Sequence, residues 1–323
     1  VPQAQAPQAH VPQTYVPQTH AVTGPATRTV PDRRRLVGIA LMCGAVASFA
    51  SLDACGKTLA GLGVDPLVST FMRYAVNVAL ITLVLNPVRH PEVVRSRRLP
   101  LQILRSLLLF GTTALNFLAL RYLQLAETVS IQFAAPLAVA LLAGPLLGER
   151  SSRDRLAAIA VGFMGVLVIV RPGLGTVHPA VLFSLGNMVC YAFYVILTRK
   201  LAAHDSTRTT LFFSGLSGLA VMLPVLPWIW SSPATPQVWA LLVGIGLIGT
   251  FGHWLLILAH ARAPASVLAP FIYTQLVWSV SLGFLVFGDV PSGWTLVGAM
   301  IVIGSGLYLL AQEAGRRPRP QAG

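Results

Sequence analysis

The sequence predicts an all-α membrane protein built of ten transmembrane helices, arranged as two inverted five-helix repeats. Three observations predict it. The 323 residues are 55% hydrophobic and only 10% charged, against about 25% charged in a soluble domain. Ten apolar runs recur along the chain, each long enough to make the bilayer crossing that takes roughly 20 residues. The two halves of the chain also end alike, and each half holds an odd number of runs.

The runs lie at 36–62, 66–88, 100–121, 126–147, 155–171, 179–198, 208–230, 236–259, 265–287 and 293–311, the fifth being the shortest. None alternates with a period of two, and all exceed the roughly ten residues of a barrel strand. Helices are then the structure that satisfies the backbone in lipid. The residues before them are of another kind. Repeated pentads (VPQAQ, APQAH, VPQTY, VPQTH) carry almost no charge and no apolar stretch, so residues 1–34 are expected to form a disordered cytoplasmic tail with local polyproline character. They lack the apolar core of a signal peptide. Residues 313–323 form a basic tail at the other end.

The net charge of +13 invites a nucleic-acid reading, but the cations are distributed by topology. With the N-terminus inside, only Arg121 and Arg171 of the 23 Lys and Arg residues fall on the outer side, and Lys57, Arg73 and Arg105 fall within spans. The others all lie on the inner side. That is the positive-inside bias, and it places both termini in the cytoplasm. No nucleic-acid partner is expected, since no basic reading element is visible. Cys43, Cys55 and Cys190 lie singly inside apolar runs and read as small buried hydrophobes.

Residues 35–172 and 173–312 form the two repeats. In each, a span runs into a Gly-acid pair, Gly148-Glu149 and Gly288-Asp289, followed by a polar turn and a Gly-rich closing span. With five spans in each, the second repeat must sit inverted relative to the first. Inverted repeats suit alternating access, one repeat rocking against the other about a central site.

The segments LAETVSIQFAAPL (125–137), LLGER (146–150), GFMGVLVIVRPG (162–173), YAFYVILTRKLA (191–202) and APASVLAPFIYTQLVWSVSLGFLVFGDVP (263–291) resemble the drug/metabolite transporter superfamily, in particular its two-repeat EamA-type members. The resemblance covers about residues 35–312. It implies ten spans, termini inside and secondary transport of a small organic solute. Asp289 stands where that family's pattern often has Glu.

Ionisable residues inside spans are costly and are candidates by default. Asp53 and Lys57 lie four apart, where acid before base pairs well on a helix; they serve either as a structural pair or in coupling and gating. Asn187, Tyr191, Tyr194 and Thr198 draw one polar, aromatic stripe down the sixth span, which suits the wall of a cavity for a planar solute; interhelical hydrogen bonding is the plainer reading. Thr112 and Asn116 in the third span, Gln132 in the fourth, and Tyr273, Gln275 and Trp278 in the ninth would complete a cavity near the midplane. His253 shares a face with His260 and is a candidate proton carrier, with a satisfied core histidine as the alternative. Arg73 and Arg105 are expected to snorkel to the cytoplasmic surface, and attraction for an anionic solute ranks second. Glu127 sits at the outer mouth of the fourth span, as a helix cap, a gate-side partner of Arg121, or a coupling site.

GKT at 56–58 lacks the first glycine of a phosphate loop and lies in an apolar run; with no HExxH or GxSxG motif, neither an ATP-driven pump nor catalysis is expected. No metal or cofactor is implied. The small residues of AxxxGxxG (158–165) and GSG (304–306) suit close helix packing and a scaffold role, in a monomer or homodimer. The function expected is secondary transport of a small organic metabolite across a bacterial inner membrane, with possible proton coupling. Export of an amino acid or related compound comes first; the alternative is uptake of a vitamin or nucleoside-like solute such as riboflavin or S-adenosylmethionine. An integral-membrane enzyme is the remote third reading.

Overall fold

A computed structural model describes residues 33–85, 87, 89–147, 153–171, 178–202, 204–230 and 235–315. The Pro/Gln-rich pentads, the Gly148-Glu149 pair and the basic residues after Gly315 lie outside the described residues. Within them every regular element is helical: α1 (Arg33–Gly61), α2 (Pro66–Leu85), α3 (Leu99–Leu120), α4 (Leu125–Gln132), α5 (Ala135–Leu147), α6 (Arg153–Val170), α7 (Val181–Leu201), α8 (Thr207–Ile229), α9 (Pro236–His260), α10 (Ala265–Ile272), α11 (Thr274–Phe287) and α12 (Gly293–Gly315), with a 3-10 turn at Pro91–Val94.

Nine stretches of the described residues are long and apolar enough to cross a bilayer. This is an integral, multi-pass membrane protein. The tenth expected crossing is α6, whose first turn carries Arg153, Asp154 and Arg155; long basic side chains at a helix end can reach the polar interface while their stems stay in apolar surroundings.

Two expected spans are each a pair of helices. The fourth breaks between α4 and α5 at Phe133-Ala134, and the ninth breaks between α10 and α11 at Tyr273. Pro136 accounts for the first break: it has no N–H to donate and its ring crowds the carbonyl four residues earlier. The chain tightens there, with Ala134 N–H bonding to the Ile131 carbonyl at 3.0 Å. In the second repeat Pro270 lies inside α10, and the Thr274 hydroxyl donates to the Phe271 carbonyl at 2.7 Å. Broken helices at matching places in inverted repeats are a recurrent feature of transporters.

Helix packing follows the inversion. The most extensive pairings are α1 with α9, α3 with α7, α2 with α8, and α6 with α12. Exchanging the repeats turns the first pairing into the second and each of the last two into itself. The α6–α12 crossing is backbone against backbone: a Cβ on Gly165 would lie 2.9 Å from the Gly298 carbonyl oxygen, and one on Gly298 would lie 2.6 Å from that of Gly165. Small residues there let two helices approach closely, as their spacing predicts. Most of the largest buried cluster joins α4 through α7 with α12, and a second joins α1, α3 and α9.

Candidate functional site

A cavity of about 490 Å³ opens among α2, α3, α7, α8 and α9, within the 300–1,000 Å³ range of small-molecule sites. Its lining extends to the C-terminal ends of α2 and α9, close to where α1 begins. There Val84 and Ile257, on the last turns of α2 and α9, line it and are exposed.

The polar wall is built from helical neighbours. On α2, Arg73 and Asn77 stand one turn apart, and on α9 Thr250 and His253 do the same, the spacing that puts two side chains on one face. The two faces are joined by the Asn77 amide, which donates to the Thr250 hydroxyl at 2.9 Å. Arg73 Nη1 donates to the Thr113 hydroxyl at 2.9 Å, and that oxygen lies 3.1 Å from the Tyr74 hydroxyl. The His253 ring meets Phe49 edge-on, centroids 5.0 Å apart.

Arg105 does not snorkel. It is 3% exposed and turns into the bundle, donating to Thr198 Oγ1 at 3.1 Å, to the Thr210 carbonyl at 3.2 Å, to Tyr194 Oη at 2.8 Å and to Ser214 Oγ. Its guanidinium also lies 4.5 Å from the Tyr194 ring centroid. The reason is geometric: α7 and α8 bring enough neutral acceptors against α3 to satisfy a planar donor fork, so the side chain need not reach water.

Of the residues singled out in the sequence, Arg73, Arg105, Tyr194 and His253 line this cavity. Thr198 touches it through Arg105. Asn187 donates to Asn116 at 3.4 Å, and Asn116 donates to Asp53 at 2.8 Å, a polar chain joining α7, α3 and α1. Tyr191 packs beside Tyr194, centroids 5.8 Å apart, and is 38% exposed. Tyr273 meets Phe133 edge-on at 4.9 Å, and its hydroxyl occupies the space where a Cβ on Gly306 would stand, 2.2 Å away. Gln132 has a buried oxygen without a partner. Gln275 is half-buried on α11 and Trp278 on the same helix is exposed. Among the polar wall residues that the sequence reading did not single out are Asn77, Thr250 and Ser214. Their signal was the i, i+3 or i, i+4 partnership with Arg73, His253 or a neighbouring Thr.

At the opposite end of the bundle, contacts cross between the repeats. Lys57 forms an ion pair with Asp289, not with Asp53, and stands over the Phe287 ring at 4.8 Å from the centroid. The helical spacing of Asp53 and Lys57 allows a pair, but Asn116 holds Asp53 while the turn after α11 brings a carboxylate to Lys57. The Gln124 amide reaches the Val290 carbonyl at 3.4 Å. Glu127 is a cap: its carboxylate accepts from the Gln124 backbone N–H at 3.1 Å within a capping box, while Arg121 lies over the Tyr122 ring at 5.6 Å.

The family model described as "EamA-like transporter family" matches residues 36–171 and 178–311. Among curated proteins, the chain is 27% identical over 275 residues to a riboflavin transporter of Vibrio cholerae, covering 85% of this chain and 90% of the relative. It is 30% identical over 212 residues to an S-adenosylmethionine uptake transporter of Rickettsia prowazekii, covering 65% and 71%. It is 27% identical over 251 residues to the pseudopaline exporter CntI of Pseudomonas aeruginosa, covering 76% and 86%. A solved structure aligns with TM-score 0.57 and 21% identity over 87% of this chain and 98% of its own, a likeness of fold.

Proposed function

The chain belongs to the EamA-like transporter family and is a membrane transporter of small molecules; on that premise we propose that it is a secondary carrier moving a small organic metabolite across the bacterial inner membrane by alternating access. The carrying observation is asymmetry. A cavity among helices of both repeats reaches the last turns of α2 and α9 at one end of the bundle, while the Lys57–Asp289 pair and the Gln124–Val290 contact join the repeats at the other. With both termini in the cytoplasm, as the positive-inside bias predicts, this is an inward-facing state. Opening the far end requires parting those contacts and closing α2 toward α9 across the cavity mouth.

Export of an amino acid or related compound fits a cavity loaded from the cytoplasm. The second reading, uptake of a vitamin or nucleoside-like solute, is favoured by what the Vibrio and Rickettsia relatives are named for. Reconstituted vesicles loaded in turn with amino acids, riboflavin or S-adenosylmethionine, with and without a pH gradient, test the proposal. Saturable flux of one solute class in one direction supports it, and flux indistinguishable from protein-free vesicles for every class refutes it.

A further inference from the structure

The cavity holds more positive charge than its walls neutralise. Arg73 and Arg105 both line it, and among the described residues its lining contains no Asp or Glu. Guanidinium groups remain charged at any physiological pH, and a charge inside an apolar bundle is costly unless paired. Arg105 has neutral acceptors for its Nε, Nη1 and Nη2. Arg73 is different: of its five N–H donors, one has an acceptor among the described residues, the Thr113 hydroxyl. Asp53 lies within Coulombic reach of Arg73, but it forms no ion pair with it and accepts its hydrogen bond from Asn116. One carboxylate at a distance offsets part of one guanidinium and leaves the second uncompensated.

The rest of the wall suits an organic body attached to an anionic head. The Tyr194 ring and the Trp254 indole line the same space, and the Asn77 and Thr250 side chains supply neutral polar contacts one turn from Arg73 and His253. A planar fork such as Arg73 recognises a carboxylate or phosphate through two parallel hydrogen bonds, and the low dielectric of the bundle strengthens them.

We propose that the transported solute carries a carboxylate or phosphate that Arg73 binds in this cavity, with the second positive charge of Arg105 holding the field favourable. The inference rests on the transport reading and narrows it to a class of substrate. It also assigns Arg73 the role of binding residue and Arg105 that of positioning residue, since Arg105 orients Tyr194 and is itself enclosed.

The test compares matched solutes on the full-length protein in detergent by equilibrium binding: flavin mononucleotide against riboflavin, and indole-3-acetate against indole-3-acetamide. The expected result is that at least one acid binds about tenfold or more tighter than its neutral partner, the scale of a charge-assisted bond. Arg73→Gln should erase that preference, and Arg73→Lys should restore part of it. Equal binding within both pairs by the unaltered protein, or no binding by either acid, overturns the proposal without recourse to a variant; so does a preference that survives Arg73→Gln. Flux in proteoliposomes separates the two readings. Saturable riboflavin or amide flux with no preference for the acids removes the anion site and leaves transport intact, whereas tight acid binding without flux keeps the site and removes transport.

Discussion

Phe133 and Tyr273 meet edge-to-face with ring centroids 4.9 Å apart, one from each repeat. Each follows the last residue of an eight-residue helix, α4 or α10, and so marks the break in its own span. The two interruptions therefore touch. Bundle halves that rock against each other need a place where backbone is irregular yet enclosed, because freed N–H and C=O groups are tolerated at membrane depth only within protein or a cavity.

That contact makes a first prediction. Phe133 is 4% exposed, and Phe133→Ala should lower stability by about 3–5 kcal/mol through lost burial and the space left behind. Unfolding of the purified protein, monitored by heat or denaturant, checks the value. Gly306→Ala should also destabilise, because its Cβ collides with the Tyr273 hydroxyl; Tyr273→Phe should recover part of that loss in the double variant.

The Lys57–Asp289 pair spans the repeats with side chains 17% and 22% exposed. A partly buried ion pair broken on one side leaves an unpaired charge, whose cost exceeds the gain the intact pair provides. Lys57→Glu should reduce transport and raise labelling by a membrane-impermeant thiol reagent of a cysteine placed just inside that end. The exchange Lys57→Glu with Asp289→Lys should restore both toward the original protein. Failure of the exchange to improve on the single change would remove the pair as a gate.

Arg105→Lys should be nearly as damaging as Arg105→Met. An ammonium cannot reach Thr198, the Thr210 carbonyl, Tyr194 and Ser214 together in the plane that a guanidinium supplies. Each buried acceptor or donor left unpaired costs roughly 1–3 kcal/mol. Thermal unfolding of the two variants side by side measures it, and a Lys variant as stable as the original protein would contradict the assignment.

Glu127→Gln should leave the pH profile of transport unchanged. The carboxylate closes a capping box with Gln124, and an amide oxygen accepts the same backbone N–H. Glu127→Ala should lose about 0.5–2 kcal/mol of stability, the ordinary worth of a cap. A shifted pH profile in the Gln variant would return Glu127 to the list of coupling candidates.

The local and one-dimensional features of this protein were legible in its sequence. Apolar run length fixed where the helices are, because a backbone in lipid has few ways to satisfy itself. The odd number of runs in each half fixed the inversion, and the basic residues supply the expected orientation. The break at Pro136 was missed, because the apolar run through it is continuous.

Which polar residues meet was a matter for the tertiary structure alone. Asp53 and Lys57 share a helix face, yet their partners come from α3 and from the turn after α11, far away in the chain. Arg105 lies near the start of its helix, where snorkelling is the local expectation, but α7 brings it Thr198 and Tyr194 and α8 brings it Thr210 and Ser214. At the breaks of the fourth and ninth spans Phe133 and Tyr273 turned to each other, and Tyr273 to α12, while the polar faces of α2 and α9 came to line the cavity. Periodicity assigns a residue to a face of its own helix. The rotation of that helix against its neighbours decides what the face meets, and it is set by packing between segments that the sequence keeps apart.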